Sequence, residues 1–254
     1  NKHADWPQHD AVSVKSRRHR ADGHWLIDTV NPDGWTNILD YRKTTTADFV
    51  VGQEVKRAGK DDCRNAEAAA RTAGWKASLT PCLTTKALGK SAGVAVAARA
   101  RVGLSDADPV TLTQHLHDAG RFGMKHVGAI RTGGFHLGSI YMHHTIGIRA
   151  EANLDLLDTV SCTLSGLKGP WCIGGDFNCT PAELIDTGWL TKVGGVIHYP
   201  TDATTDKGKT YDFFVTSVSL SPLVASVQVV ADYRCTPHLA VRLTLRGNCR
   251  KVMV

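Results

Sequence analysis

Apolar residues recur along the chain in two rhythms. Short runs rich in β-branched and aromatic residues, closed by Gly, Pro, Asn or Asp, predict strands, and apolar residues about three to four apart predict helices. Residues 24–30 form the first strand, closed by the turn Asn31-Pro32-Asp33-Gly34. A short helix follows around residues 36–41. Residues 48–55 are a buried strand with Gln53 and Glu54 at its end. Residues 65–73 are an alanine-rich helix capped by Gly74. Residues 75–79 and 92–98 are strands joined by a polar loop with Lys86 and Lys90. Residues 110–113 are at most a short strand. Residues 126–131 and 135–143 form a hairpin around Thr132-Gly133-Gly134. In residues 149–167, Leu154, Leu157, Val160, Leu164 and Leu167 share one helical face. Trp171 to Ile173 is a buried central strand running into Gly174-Gly175. Thr180-Pro181-Ala182-Glu183 then reads as a helix start, with Thr as cap, Pro first in the helix and Glu closing a capping box. Residues 210–218, 227–231 and 240–245 complete the strands.

Strands in this order come in pairs more often than they alternate singly with helices. That argues against a doubly wound parallel fold. It predicts an α+β sandwich of four layers, two mixed sheets face to face with helices outside, in one domain over residues 23–246. Residues 1–22 read as a flexible basic arm with Lys15, Arg17, Arg18, His19 and Arg20, and residues 247–254 as a tail.

Composition narrows the partners. The 254 residues carry 30 basic and 24 acidic side chains, a net charge of +6. A pI near 9.0 favours anionic partners, nucleic acid first. The 7 cysteines show no zinc-ligand spacing and fit buried free thiols in a reducing compartment. No apolar stretch reaches transmembrane length and no signal peptide opens the chain, so the expected setting is intracellular, nuclear or cytoplasmic, without membrane contact. Asn1 in place of Met fits a chain cut from a longer polypeptide. Nothing in the sequence sets the oligomeric state.

Polar residues gather where apolar strands run out. They are Asn31 and Asp33, Glu54, Tyr141 and His144, Asp176 and Asn178, Asp212, and His238. Strand alternation puts Asp176 and Asn178 on one face at the end of the central strand. Taken alone, Asp-Phe-Asn is an Asx-turn. Asp212 lies between aromatics, and an unpaired buried carboxylate costs several kcal/mol, so it needs a partner. His238, ahead of the last strand, is the candidate.

These residues carry a resemblance. The chain resembles the endonuclease/exonuclease/phosphatase superfamily, the fold of DNase I and the abasic-site endonucleases, from about residue 24 to 246. The motifs fall in the family's order. They are NPDG at 31–34, GQE at 52–54, GVAV at 93–96, Tyr141, GDFN at 175–178, YDF at 211–213 and TPH at 236–238. Two positions depart: Pro237 stands where the family has Asp, and His144 where its nucleases have Asn. Lys209 replaces the Trp that abasic-site enzymes carry three residues before the last Asp. The generic motifs also resemble endonuclease domains of retroelement polyproteins.

The resemblance implies a Mg²⁺-dependent phosphodiester hydrolase, a nuclease acting on DNA, with Mn²⁺ as an alternative ion. A phosphodiester anion resists water, so hydrolysis needs an activated water and neutralised phosphoryl oxygens. Implied metal ligands are Glu54, Asp33 and Asn31. Asp176 would deprotonate the water, Asn178 would hold the water or phosphate, and His238, kept charged by Asp212, would neutralise a non-bridging oxygen. Tyr141 would donate to the phosphate or leaving group, and Asn31 and His144 would contact substrate. Arg149 and Lys168 suit a polyanionic strand. The alternative is a degenerate, non-catalytic module of the same fold that binds nucleic acid or protein.

Overall fold

The structure, a computed structural model, describes residues 22–84, 89–107, 120–129 and 133–247, with residues 231–235 described in their backbone alone. The N-terminal basic cluster, Lys86, residues 110–113, Arg131, Thr132 and residues 248–254 lie outside them. In chain order the elements are β1 (His24–Val30), α1 (Trp35–Thr44), β2 (Phe49–Gln53), α2 (Gly59–Thr72), β3 (Trp75–Thr80), β4 (Leu83–Thr84), β5 (Lys90–Ser91), β6 (Val94–Arg99), β7 (Leu104–Asp106), β8 (Phe122–Val127), β9 (Phe135–Tyr141), α3 (Glu151–Ser165), β10 (Trp171–Asp176), α4 (Pro181–Asp186), α5 (Trp189–Val193), β11 (Gly195–His198), β12 (Asp212–Ser217), β13 (Val224–Cys235) and β14 (His238–Arg246).

Two large sheets form, one ordered β13-β14-β1-β2-β6-β3 and the other β11-β12-β10-β9-β8-β7. Both are mixed, since β1 runs parallel to β2 and β9 to β10 among otherwise antiparallel pairs. Strand alternation decides what each face buries. Trp25, Ile27, Phe49 and Val51 from the first sheet meet Phe135, Leu137, Cys172 and Phe214 from the second in a core between the sheets. The opposite face of the first sheet packs Val50, Ala95 and Ala97 against α1 and α2 through Trp35, Ile38, Ala66 and Ala70. That of the second packs Ile140, Ile173 and Phe213 against α3, α4 and α5 through Leu157, Leu184 and Trp189. The expected four layers are present.

Gly174 sets how closely the sheets approach. A Cβ there would lie 2.6 Å from Phe214 Cε1 and 2.9 Å from Val51 Cγ2 of the facing sheet. The same alternation turns Cys172, Gly174 and Asp176 inward, so the carboxylate at the end of β10 projects between the sheets.

The structure moves several boundaries. Helix α2 starts at Gly59, a turn and a half ahead of the alanine-rich stretch. The Asp62 carboxylate makes that start possible by accepting the Ala58 N–H at 3.0 Å, one of the donors a helix start leaves open. β8 begins at Phe122, because Phe122 and Met124 are both buried. α5 and β11, in a stretch without a clear period, were not expected. The capping box at Thr180 and Glu183 is as expected. Cys63, Cys82, Cys172 and Cys179 are buried free thiols, and Cys162 is an exposed one. Among the described residues no helix is long and apolar enough to cross a membrane.

Candidate active site

The polar residues meet at one edge of the sandwich because neighbouring strands end together. In the second sheet, Tyr141 on β9, Asp176 on β10 and Asp212 on β12 are cross-strand partners in a row. In the first sheet, β14, β1 and β2 are adjacent, and His238, Asn31 and Glu54 stand at their ends. Below this edge the space between the sheets is polar. Gln53 Nε2 donates to Ser139 Oγ at 2.9 Å and to Thr29 Oγ1 at 3.2 Å, tying one sheet to the other beneath the site.

His238 bridges two buried carboxylates. Its Nδ1 lies 2.9 Å from Asp212 Oδ2 and its Nε2 3.5 Å from Asp176 Oδ2. Asn31 Nδ2 donates to Asp176 Oδ2 at 3.0 Å, and the Asn178 N–H donates to Asp176 Oδ1 at 3.0 Å. The last bond is an Asx-turn, so the turn and the site are the same residues. β10 ends at Asp176, and Asn178 has a left-handed φ of 48°. Strand alternation therefore does not align the pair, a correction to the sequence argument. The turn does it instead, and Asn178 Nδ2 donates to Met142 O at 2.9 Å.

Burial shapes the protonation of this group. Asp176 is 1% exposed and Asp212 0%. Burial, then the Asp212 charge, pushes the Asp176 carboxyl up to about 7 against the pull of His238. Burial raises Asp212 as well. For His238, burial acts downward but the Asp212 hydrogen bond and the charges of Asp212, Asp176 and Glu54 outweigh it, lifting the ring to about 9. The ring is an imidazolium at neutral pH, beside a carboxylate that titrates there.

Compared by sequence, the chain matches no protein-family model and no curated protein. Compared by structure, it is similar to an AP endonuclease from Leishmania major, at 12% identity over 96% of each chain and a TM-score of 0.68. It is similar to the endonuclease domain of TRAS1, a telomere-specific non-LTR retrotransposon, at 14% identity over 89% of this chain and 99% of that one, with a TM-score of 0.63. A 3′ phosphatase from Neisseria, bound to a product DNA hairpin, matches at 15% identity over 86% and 98%, with a TM-score of 0.62. The chain has the DNase I-like fold.

On that fold the remaining predicted residues fall into two groups. Glu54 sits just past β2 with a left-handed φ of 51°, half-buried, and its charge acts on the Tyr141 hydroxyl. Burial, then the negative charges of Glu54 and Asp176, raises the Tyr141 hydroxyl and keeps it protonated. Asp33, at φ 56°, is 59% exposed and paired with Lys56. His144 is exposed on the loop after β9, and Arg149 donates to Asp186 O at 2.8 Å. Lys168 precedes β10 and its carbonyl meets His136, at the opposite end of that strand from Asp176.

Pro237 occupies the turn between β13 and β14, where its carbonyl accepts the Asp206 N–H at 2.9 Å. Thr204 was missed by the sequence reading. Its hydroxyl donates to Asp212 Oδ2 at 2.9 Å and accepts the Tyr211 and Asp212 N–H groups at 2.9 and 3.1 Å. No motif marks it within its polar loop. Asn153 was missed too, and its amide holds the loop of His143 and Gly147 through bonds of 2.8 to 3.1 Å.

The donor set can be tested against a divalent cation. The ligand atoms of Asp176, Asp212 and His238 lie within 4.8 Å of one another. Both ring nitrogens of His238, however, are already turned to carboxylates, Nδ1 to Asp212 and Nε2 to Asp176. The oxygens fit better. Asn31 Oδ1 and Asp212 Oδ1 are buried without a hydrogen-bond partner among the described residues, and Glu54 adds a carboxylate at the same edge. A buried acceptor left unmade costs about 1–3 kcal/mol, and hard oxygen donors are what Mg²⁺ and Mn²⁺ take.

Proposed function

We propose that this chain is a divalent-metal-dependent nuclease that hydrolyses phosphodiester bonds in DNA. The observation that carries the reading is His238 held between Asp212 and Asp176, with burial placing the Asp176 carboxyl near 7. A general base is most effective with a pKa near the working pH. Asp176 takes a proton from the attacking water. Asn178, fixed by the Asx-turn, holds that water or the phosphate. The His238 imidazolium neutralises a non-bridging oxygen, as a preorganised charge in a dry site does best. Tyr141, kept protonated, donates to the leaving oxygen. Glu54 and Asn31 would hold Mg²⁺ or Mn²⁺, with Asp33 closer to Lys56 than to this pair, and the ion would supply charge neutralisation at the phosphoryl oxygens. The DNA assignment draws on the DNA hairpin of the Neisseria neighbour and on the basic net charge.

Incubation with supercoiled plasmid tests this directly. Nicking with Mg²⁺ that stops with EDTA is expected. A folded protein that never nicks in Mg²⁺ or Mn²⁺ sinks the reading.

One observation favours a second reading, a binding module without cleavage. Pro237 supplies no carboxylate, and the Asp33 carboxylate is spent on Lys56. Oligonucleotide binding without nicking is its signature.

A further inference from the structure

We infer that Arg121 is a positioning residue of this site, fixing the backbone between Tyr141 and Asn178 and offsetting the charge of Glu54. The inference rests on the nuclease reading for the identity of the site. No motif drew attention to this residue.

Arg121 lies just ahead of β8 and is 6% exposed. Its guanidinium carbon is 5.1 Å from the centre of the Tyr141 ring, within cation–π range. Nη1 donates to Tyr141 O at 3.3 Å and to Met142 O at 3.4 Å. Its own carbonyl accepts the Tyr141 N–H at 2.8 Å. Met142 is the link onward. Its carbonyl also accepts Asn178 Nδ2 at 2.9 Å, and its N–H donates to Asp176 O at 3.0 Å. One guanidinium thus pins the segment that places the Tyr141 hydroxyl, the Asn178 amide and the Asp176 backbone.

The residue type argues for a role in charge. Packing on the Tyr141 ring would be served as well by Met or Leu. A buried cation is costly, and Arg121 Nε is buried with no hydrogen-bond partner among the described residues. Burial pulls the guanidinium down from its ordinary range, and what acts the other way is Tyr141, on whose ring it lies, and then the charge of Glu54. Glu54, Asp176 and Asp212 share this edge, and among the described residues the buried Arg121 and the part-buried His238 and Lys56 are cations on which they act. His238 faces the Asp176–Asp212 half. Arg121 lies on Tyr141, in the half that holds Glu54. By Coulomb's law its charge must oppose a dication bound at Glu54.

The test uses the full chain with Arg121→Gln, which keeps hydrogen-bond donors without charge, and Arg121→Lys, which keeps charge without the fork. Calorimetric titration with Mn²⁺, in the absence of nucleic acid, is run beside melting temperature, KM and kcat for plasmid nicking. Arg121→Gln is expected to bind Mn²⁺ tighter, on the order of tenfold, while kcat falls. Arg121→Lys is expected to keep wild-type Mn²⁺ affinity with a lower kcat. Tighter metal binding with slower turnover is a split that lost packing would not produce. Unchanged or weaker Mn²⁺ binding in folded Arg121→Gln overturns the inference. So does a parallel fall of melting temperature, affinity and kcat in both variants. Should Arg121→Gln fail to fold, Arg121→Lys decides, and wild-type kcat in it overturns the inference. Wild-type protein that binds Mn²⁺ but does not nick ends the nuclease reading and leaves the Mn²⁺ comparison to decide the role of Arg121. Wild-type protein that takes up no Mn²⁺ overturns both.

Discussion

Two buried carboxylate clusters, Asp28 on one side of the first sheet and Asp176 with Asp212 between the sheets, are built from similar parts and do opposite things. All three carboxylates are 0–1% exposed, and each cluster bridges strands with a cation. At Asp28 every oxygen is taken. Oδ2 accepts Tyr41 Oη at 2.5 Å, Thr45 Oγ1 at 2.6 Å and Arg242 Nη2 at 2.8 Å, and Oδ1 accepts Arg242 Nε at 2.7 Å. Burial works against the Arg242 charge, but Asp28 more than restores it and fixes it well above the ordinary arginine range. At the other cluster Asp212 Oδ1 and Asn31 Oδ1 are left over among the described residues, one imidazole is shared by two carboxylates, and burial with the Asp212 charge pushes Asp176 up to about 7. The saturated cluster can only hold the fold. The unsaturated one has capacity to bind and to move a proton.

The largest effect expected of this contrast is on rate. Asp176→Asn should lower plasmid nicking by ~10²–10⁴-fold, the usual worth of a general base. Packing should survive, because the exchange is nearly isosteric, and oligonucleotide binding should hold or tighten with one negative charge removed. Nicking, binding and melting temperature measured on one preparation check it, and wild-type nicking in a folded variant would end the proposed role.

Next comes stability at the saturated cluster. Asp28→Asn should cost about 3–5 kcal/mol, because it leaves Arg242 buried without its counter-charge. Urea unfolding reads this. A variant that keeps its stability but loses nicking would mean that the two clusters had been assigned the wrong way round.

A third expectation concerns pH. His238 is raised from 6.5 to about 9 on folding, so its stabilisation is complete below 6.5 and disappears as pH climbs through 9. The span corresponds to about 3 kcal/mol. The unfolding free energy should therefore fall between those pH values in the wild type and fall much less in His238→Gln. In Asp212→Asn, where the main cause of the shift is removed, NMR should find the His238 titration moved down. An unmoved titration would rule out the pairing.

The smallest effect is expected at the turn before His238. Pro237→Asp adds a carboxylate beside the unsaturated cluster and should raise Mg²⁺-dependent nicking several-fold, if the turn tolerates losing a fixed φ. A folded variant with unchanged rate would show that no acid is wanting there.

The fold and the centre of the site were largely legible in the sequence. Strand ends are marked by Asn31-Pro32-Asp33-Gly34, Gly175-Asp176 and Tyr211-Asp212, because buried strands are apolar and their ends are not. Asp212 among aromatics forced the search for a partner, and His238 lies 2.9 Å from it. What stayed hidden depends on the third dimension. Thr204 is one hydroxyl among many in a polar loop. Arg121 acts through backbone carbonyls, which carry no residue signature. Asn178 was aligned with Asp176 by counting strand positions past the point where β10 ends.

Gly174 has a practical meaning for anyone who would redesign this molecule. The close approach it allows, with a would-be Cβ 2.9 Å from Val51 of the facing sheet, is also the gauge between the two halves of the site two residues further on. A chimera that takes one sheet from a relative and keeps the other inherits two surfaces cut to different gauges. Its melting curve could look healthy while Asp176 and Asn31 no longer meet. Exchange of parts in this architecture therefore has to follow the matched faces, with residues 51, 174 and 214 travelling as one unit.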